Sequence, residues 1–375
     1  MPRSRNSKII NTTTIVAAII GVVVGMFATG WLGSDRESTT NNKFAAAAAR
    51  HLTNIQQRDG TFIYEIDLLS GKSSTANNMV RQAGTGYGLA EYYAYSNDQA
   101  VKPALEAYLT AMASASIALD NGMLVSINGQ LTGVKTGTTA LALLALLNVE
   151  KVQTIERFSA WRTVWLQGLM SLYNDGGGFR RGTLSIKESP YYNGESWLAL
   201  AVHADMYPDQ SDMQRLANLD DYLMKTYGSE FDKGFFHWGV MAASQRYRTT
   251  RERRFLDFAI TQSEFYLKQN PLVRPTLNSC YVVEGLAAVV AILDDAPIAG
   301  DLETRNKLML RVDQEMNKNV SFQNHSTWIE AGDARISSAA IARYKGAFRN
   351  GQYLIKARID FTQHCLSALV KQSQM

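Results

Sequence analysis

The sequence predicts an all-α fold in which six helices form an inner ring and six others surround them. Two kinds of helical segment alternate along the chain: segments with one apolar stripe, and segments of small apolar residues on every side. A helix that is apolar all round must be internal, whereas a helix with a single stripe lies at the surface. Most pairs recur at intervals of roughly 40–60 residues, which is typical of repeated helical hairpins.

The stretch from Asp175 to Ala201 contains the repeating unit. It opens with three glycines, continues as a short segment able to pair as a hairpin, and turns at Ser189-Pro190. It then places polar and aromatic residues directly before the small apolar helix WLALA. This order predicts a helix whose first turn borders a site and whose remainder is packed on all sides.

The six amphipathic segments predict the outer helices, and the first is favoured by its alanine-rich composition. They cover residues 44–57, 98–119, 150–173, 212–227, 251–268 and 302–317. The six small-residue segments predict the inner helices. These begin near Asn78, Thr136, Tyr192, Phe236, Asn278 and Asp360.

The connections predict where a site lies. Links from outer to inner helices are long and contain glycine, whereas links from inner to outer helices, such as Ser96-Asn97, are short. All long loops and all inner-helix N-termini are therefore expected on one face. Strand-like alternation predicts short β-hairpins there, one closing at Ser70-Gly71 and one turning at Asn128-Gly129. Residues 319–356 are predicted to be irregular.

The N-terminus predicts a membrane anchor. Arg3, Arg5 and Lys8 precede an apolar run over residues 9–32, and roughly 20 apolar residues suffice to span a bilayer. The positive flank is expected to stay cytoplasmic, which places the following domain in the periplasm or outside the cell. A signal peptide cleaved near Ala28-Thr29-Gly30 is the alternative.

The predicted organisation is a basic cytoplasmic tail (1–8), a single-pass anchor in the inner membrane (9–32), a polar linker (33–43) and the helical domain (44–375). The net charge of +4 is small and its cations are scattered, which argues against a nucleic-acid partner. The only two cysteines, Cys280 and Cys365, leave a disulfide, metal ligation and two separate buried thiols open.

This pattern of alternating helices resembles the (α/α)6 toroid. Glycine–aromatic sequences precede three of the inner helices: Gly177-Gly178-Phe179, Gly234-Phe235-Phe236 and Gly346-Ala347-Phe348. The resemblance covers roughly residue 44 to the C-terminus. It implies the six-hairpin fold of many glycoside hydrolases, several polysaccharide lyases and the sugar epimerases related to N-acylglucosamine 2-epimerase. Lanthionine cyclases and protein prenyltransferases have related rings, so the fold alone does not define the chemistry.

Three carboxylates lie in or near the first turns of the predicted inner helices, called the inner-helix mouths below. They suit glycosidic bond cleavage, which needs an acid and a second carboxylate. They are Glu195, Glu284 and Asp360. The apolar sequence around Glu284 predicts a raised pKa and a general-acid role. Alternatively, Glu284 pairs with Arg81 or Arg358 inside the ring, and Glu195 merely complements its helix dipole.

Two histidines at the predicted mouths, His237 and His364, suit a second chemistry. Placed on opposite sides of a sugar ring, they would remove and return a proton, as epimerisation requires. The alternative is that each only satisfies local hydrogen bonds. His51 and His203 are predicted to be structural.

The substrate-binding candidates are polar or aromatic residues at the same mouths. They are Arg81, Gln82, Tyr192, Asn193, Trp238, Asn278, Tyr281, Trp328 and Arg358. Two of them, Arg81 and Arg358, would grip a carboxylate because a guanidinium binds one in a fork. Six helix N-termini directed at one bowl also favour an anionic group such as a uronate.

No cofactor is predicted. Zinc held by Cys280, His364 and Cys365 resembles the site of the cyclases, but their glycine motifs and cysteine spacing are missing here. The first expectation is therefore a membrane-anchored extracytoplasmic glycoside hydrolase acting on an acidic polysaccharide. A uronate or amino-sugar epimerase, or a lyase, comes second. A non-catalytic glycan-binding subunit of an export system is the third alternative.

Overall fold

The computed structural model describes residues 41–295 and 301–375, and helices account for most of that part of the chain. The outer helices are α1 (described from residue 41 and ending at 54), α3 (Lys102–Ser114), α5 (Glu156–Met170), α7 (Met213–Tyr227), α9 (Arg253–Gln269) and α11 (Leu302–Val320). The inner helices are α2 (Met79–Ser96), α4 (Thr136–Glu150), α6 (Pro190–Met206), α8 (Phe236–Thr250), α10 (Cys280–Asp295) and α13 (Ile359–Gln372). A short helix, α12 (Ala339–Arg343), lies in the last long loop.

The inner helices form a closed ring. Helix α2 contacts α4, and the contacts continue through α6, α8 and α10 to α13, which returns to α2. Each outer helix except α1 packs on the inner helix that precedes it in sequence. Helix α1 meets the loop before α13, where the rings of His51 and Tyr344 are 6.3 Å apart. The predicted two-ring fold is confirmed.

Side-chain composition explains the two rings. Helix α4 is buried from Thr136 to Val149, because its alanine and leucine side chains fit between neighbours on all sides. Helix α7 buries only Leu216, Leu219, Asp220 and Leu223, the spacing of a single stripe. One stripe residue is charged: Asp220 pairs with Arg246 of α8 at 2.7 Å and accepts a hydrogen bond from Trp197 at 2.6 Å. That pair fastens α7 to the inner ring.

Short strands occupy the face where the inner helices begin. They are β1 (Glu65–Asp67), β2 (Ser116–Leu119), β3 (Gly122–Val125), β4 (Arg180–Gly182), β5 (Ser185–Glu188), β6 (Trp328–Ala331), β7 (Ala334–Ser337) and β8 (Lys356–Arg358). Antiparallel hairpins form between β2 and β3, β4 and β5, and β6 and β7. Strand β1 pairs with β8, so the loop before α2 is joined to the loop before α13. Ile66 of β1 also forms an antiparallel bridge with Ser73, so the predicted turn at Ser70-Gly71 is present.

Two local predictions were wrong. The second outer helix ends at Ser114 rather than Leu119, because residues 116–119 form β2. Residues 319–356 are not irregular throughout, since they contain the β6–β7 hairpin and α12.

A third prediction was incomplete. The chain does turn at Asn128-Gly129, where Ser126 and Val134 form an antiparallel bridge. The longer hairpin, however, pairs β3 with the preceding strand β2 and turns at Asp120, which has a positive φ of 49°.

The two cysteines form a disulfide between the first turn of α10 and the middle of α13. Zinc ligation by these cysteines is therefore excluded as an interpretation. The predicted membrane span, residues 9–32, lies outside the described residues. Within the described residues, no helix combines the length and the apolar character needed to cross a bilayer.

Candidate active site

One cavity of about 920 Å³ opens where the inner helices begin. Every inner helix contributes a residue to its wall. These are Arg81 from α2, Leu141 from α4, Glu195 from α6, His237 from α8, Tyr281 from α10 and His364 from α13. The convergence expected from loop lengths is therefore present, and ten of the fourteen candidate site residues line this cavity.

Two histidines lie side by side in this cavity, with ring centroids 5.4 Å apart. His237 is only 2% exposed, and neither of its ring nitrogens has a hydrogen-bond partner in the part of the chain that the structure describes. The Nδ1 atom of His364 lies 2.8 Å from Oε2 of Glu284. That bond leaves Nε2 of His364 as the ring nitrogen available to a ligand.

The two histidines hold protons differently. Burial lowers the pKa of His237 well below 6.5, and the charges of His364 and Lys371 lower it further. Burial also acts to lower the pKa of His364, but the charge and hydrogen bond of Glu284 outweigh it, so that pKa is raised. The surroundings thus favour the neutral imidazole at His237 and the imidazolium at His364.

The distance between the two histidines bears on the expectation that they act on a sugar ring. Their ring centroids are 5.4 Å apart, and one nitrogen of each lies within 4.8 Å of a nitrogen of the other. Their predicted placement on opposite sides of a sugar ring stays a prediction.

Glu284 lies below the cavity wall rather than on it. Its side chain is fully buried, Oε2 pairs with His364, and Oε1 has no hydrogen-bond partner within residues 41–295 and 301–375. The predicted pairing with Arg81 or Arg358 is wrong, because both guanidiniums bind Asp360. The Cys280–Cys365 disulfide stands one turn before Glu284 on α10 and next to His364 on α13. It thus joins the two helices beside the histidine–carboxylate bond.

One ligand atom each from His237, Glu284 and His364 lies within 4.8 Å of the others, so these three side chains could hold a metal ion. Two ligands of a tetrahedral zinc ion stand about 3.3 Å apart at bond lengths of about 2.0–2.1 Å. The 2.8 Å contact between His364 and Glu284 is instead hydrogen-bonding distance. Metal binding would require this contact to open.

Glu195, on α6, supplies a buried carboxyl group to the cavity wall. Its side chain is 3% exposed, and Oε2 has no hydrogen-bond partner among the described residues. Burial raises the pKa of Glu195 well above its usual value near 4.5. Gly137 of α4 makes room for it, since a Cβ atom there would collide with Oε2 of Glu195. Burial thus favours the protonated form of this acid.

Asp360 is the third predicted carboxylate, and two arginines occupy it. Arg81 approaches Oδ2 at 3.1 Å, while Arg358 donates to Oδ1 at 2.7 Å and to Oδ2 at 3.0 Å. Asp360 thus engages at least some of the N–H donors of each guanidinium. Neither arginine is the open carboxylate clamp that the sequence predicted.

Aromatic side chains form much of the remaining wall. The ring of Trp238 lies 4.7 Å from that of His237, and the ring of Tyr281 lies 5.5 Å from it. Tyr192 also lines the cavity, and burial followed by the charge of Glu195 raises its pKa to about 12. These flat surfaces surround the histidine pair.

Three substrate-binding candidates do not line the cavity. Gln82 exchanges two 2.8 Å hydrogen bonds with the backbone of Phe62. Asn193 accepts a hydrogen bond from the backbone of Phe179. Trp328 stacks under Arg335 in the β6–β7 hairpin, 3.6 Å from ring centroid to guanidinium.

Asn278 lines the cavity, but its side chain is used structurally. Its Oδ1 atom accepts a hydrogen bond from the amide of Cys280, as a helix cap does. Its Nδ2 atom donates to the carbonyl of Arg349.

Sequence reasoning missed several residues of the cavity wall. They include Lys233, Arg274 and Lys318. Lys233 directly precedes a glycine–aromatic sequence, and Arg274 lies between two prolines before α10. Reading the last residues of each long loop, rather than only the first helical turn, would have found both.

Comparison with known proteins supports the fold. No protein-family model matches the sequence, and no curated protein matches it. Solved structures do match: the chain has the (α/α)6 toroid fold of six-hairpin glycosidase-like enzymes.

One similar structure is an inactive variant of the α-1,6-mannanase GH76A of Salegentibacter sp. HEL1_6, in complex with α-1,6-mannotetrose. It is 12% identical, covers 89% of this chain and 98% of its own, and has a TM-score of 0.64. A D-mannose isomerase is 14% identical over 89% of this chain and 97% of its own, with a TM-score of 0.62. An unsaturated glucuronyl hydrolase specific for heparin is 11% identical over 88% and 96%, with a TM-score of 0.60.

Proposed function

We propose that this protein is a sugar isomerase that interconverts an aldose and a ketose by proton transfer between His237 and His364. The observation that carries the proposal is the adjacency of these two histidines, whose ring centroids are 5.4 Å apart. Both nitrogens of His237 lack a hydrogen-bond partner among the described residues, and Glu284 binds Nδ1 of His364. Burial lowers the pKa of His237, whereas the charge and hydrogen bond of Glu284 outweigh burial and raise the pKa of His364. Neighbouring groups whose surroundings push their pKa values apart are a ready acid–base pair.

The proposed reaction begins with an open-chain sugar whose carbonyl faces the pair. His237 takes the proton from the carbon next to the carbonyl, so that a C–H bond breaks and an N–H bond forms. His364 gives its proton to the carbonyl oxygen, which produces an enediol. The neighbouring hydroxyl then returns a proton to His364, and His237 protonates the former carbonyl carbon. Both histidines end in their starting states.

Other cavity residues have defined parts in this proposal. Glu284 orients His364 and stabilises its charge, so it is a positioning residue. Glu195, whose pKa is raised by burial, would donate a proton to the ring oxygen and open the sugar. With ring centroids 5.4 Å apart, one histidine would act on a carbon and the other on the oxygen of its neighbour, so isomerisation is proposed ahead of epimerisation.

Glycoside hydrolysis is the second candidate, and the buried acid Glu195 favours it. Its weakness is the missing second carboxylate, since Asp360 is bound by two arginines. The mannanase variant described as inactive carries replacements of two consecutive aspartates. Consecutive acidic residues occur in this chain only at Asp220-Asp221, on outer helix α7, and Asp294-Asp295, at the far end of α10.

The test is incubation of the full chain with neutral and acidic aldoses in D₂O, followed by NMR. Isomerisation produces ketose and places deuterium on the carbon next to the carbonyl. His237→Asn and His364→Asn should both abolish exchange, while His325→Asn, in an exposed loop outside the cavity, should not. New reducing ends without carbon-bound deuterium would establish hydrolysis instead, and an ultraviolet-absorbing product would establish elimination.

We also propose that the domain works outside the cytoplasm, anchored through residues 9–32. The charged and apolar N-terminal sequence supports this location, and so does the disulfide, because disulfides persist in oxidising compartments. Protease added to intact spheroplasts should degrade the domain. Degradation only after lysis would contradict the proposal.

A further inference from the structure

Two cations beside the cavity have no ion-pair partner among the described residues. Lys233, before α8, and Arg274, before α10, are both exposed and line the wall. The other cations of the wall are satisfied: Arg81 and Arg358 bind Asp360, and Lys318 binds Glu315 at 2.7 Å. Lys233 and Arg274 therefore carry charge that is available to a ligand.

Both free cations lie near the histidine pair. The Lys233 ammonium is 5.9 Å from the ring centroid of Tyr281, and that ring is 5.5 Å from His237. The charge of Arg274 also acts on Tyr281. Of the three carboxylates in this wall, Glu315 and Asp360 are held in ion pairs with other cations, and Glu195 is buried, which raises its pKa.

A second cavity, of about 540 Å³, adjoins the first at Tyr192, which lines both. It contains two more exposed cations, Lys135 at the start of α4 and Arg181 on β4. Neither has an ion-pair partner among the residues that the structure describes. Its one carboxylate, Glu188, accepts hydrogen bonds from Asn174 and Asn193 at 2.9 and 2.7 Å.

The four unpaired cations follow the ring in order. They belong to the mouths of α4, α6, α8 and α10, which are consecutive neighbours. The paired cations of α2 and α13 lie on the remaining side. The positive charge thus forms an arc that begins in the second cavity, passes Tyr192 and continues along the edge of the first.

We infer that the site takes the reducing end of an acidic oligosaccharide, whose carboxylates lie along the arc of Lys135, Arg181, Lys233 and Arg274. The inference rests on the proposed function in one respect, namely that the reducing end is the part that reacts. It adds the class of substrate. The combined cavities are larger than one sugar ring needs, which fits several linked sugars. Exposed cations of like sign steer an anionic chain, and salt weakens that attraction.

The test is calorimetric binding to the full-length His237→Asn variant, which cannot turn over substrate. The probes are a linear tetramer of galacturonic acid, its monomer, and a neutral tetramer of galactose. We expect the acidic tetramer to bind at least tenfold more tightly than the neutral one, with affinity falling as salt rises. Lys233→Gln, Arg274→Gln and Arg181→Gln should each weaken it about three- to fivefold, the size of one solvent-exposed ion pair. Lys225→Gln, an exposed charge on outer helix α7, is the matched control.

The monomer separates the two cavities: Arg181→Gln should leave its affinity unchanged, whereas Lys233→Gln should lower it. Equal binding of acidic and neutral tetramers, or equal effects of Lys225→Gln and the arc variants, would overturn the inference. Binding is measured without turnover, so the two proposals fail separately. Absence of isomerase activity would not change a preference for the acidic tetramer. Absence of that preference would not exclude isomerase activity on another sugar.

Discussion

The disulfide between Cys280 and Cys365 allows a stability prediction with a defined size. The two cysteines are 85 residues apart in sequence. In the chain-entropy treatment, closing a loop of that length in the unfolded chain stabilises the folded state by about 4.6 kcal/mol at 25 °C. At about 2.1 cal/mol/K of unfolding entropy per residue over residues 44–375, this corresponds to a Tm change of about 7 °C.

The perturbation is the double variant Cys280→Ala/Cys365→Ala, compared with oxidised protein in urea and in thermal unfolding. Reductant should lower the Tm of the wild type towards that of the variant and leave the variant unchanged. Because the disulfide joins α10 and α13 beside the Glu284–His364 bond, the variant should also lose activity before it unfolds. Equal urea midpoints for oxidised wild type and variant would refute the reasoning.

Three further predictions concern the cavity. Glu284→Gln removes the charge that raises the pKa of His364, so the alkaline limb of the pH–rate profile should move to lower pH and kcat should fall about 10²–10⁴-fold; an unmoved limb would contradict that role. Glu195 has a folded-state pKa above its unfolded value of about 4.3, so it destabilises the fold increasingly as pH rises through that window. Glu195→Gln should therefore gain stability relative to wild type between pH 4 and pH 8 in urea unfolding, and a constant difference would be inconsistent with a buried acid. Gly137→Ala should cost about 1–3 kcal/mol and lower activity, because the added methyl group meets Glu195, whereas Gly176→Ala, with no atom within 4 Å of its Cβ, should behave as wild type.

Helix periodicity was sufficient to predict the two rings. The buried face of α7 and the all-round burial of α4 follow from side-chain spacing alone, and loop lengths then place the inner-helix mouths together. The strand β2 was harder to predict than the rings. It was predicted as helix because its pairing with β3 depends on the turn at Asp120.

Ion pairs between residues on different helices of the ring could not be predicted from the sequence. Arg81 and Asp360 are 279 positions apart, and no local pattern shows that they bind each other. Nor does one show that Lys233 and Arg274 have no ion-pair partner among the described residues. Likewise, the apolar sequence around Glu284 predicted its burial, but its partner, His364, comes from another helix. The side-by-side placement of the histidines also depends on helix packing, which periodicity does not specify.

The central claim is that His237 and His364 are adjacent and that their pKa values are shifted in opposite directions. Histidine-labelled protein has only five histidines, so an NMR titration can resolve each ring with single-site variants for assignment. We predict that His364 titrates above 6.5, that Glu284→Gln lowers that value, and that His237 stays neutral to well below 6.5. Two histidines that titrate together near 6.5, with no response to Glu284→Gln, would contradict the proposed acid–base pair.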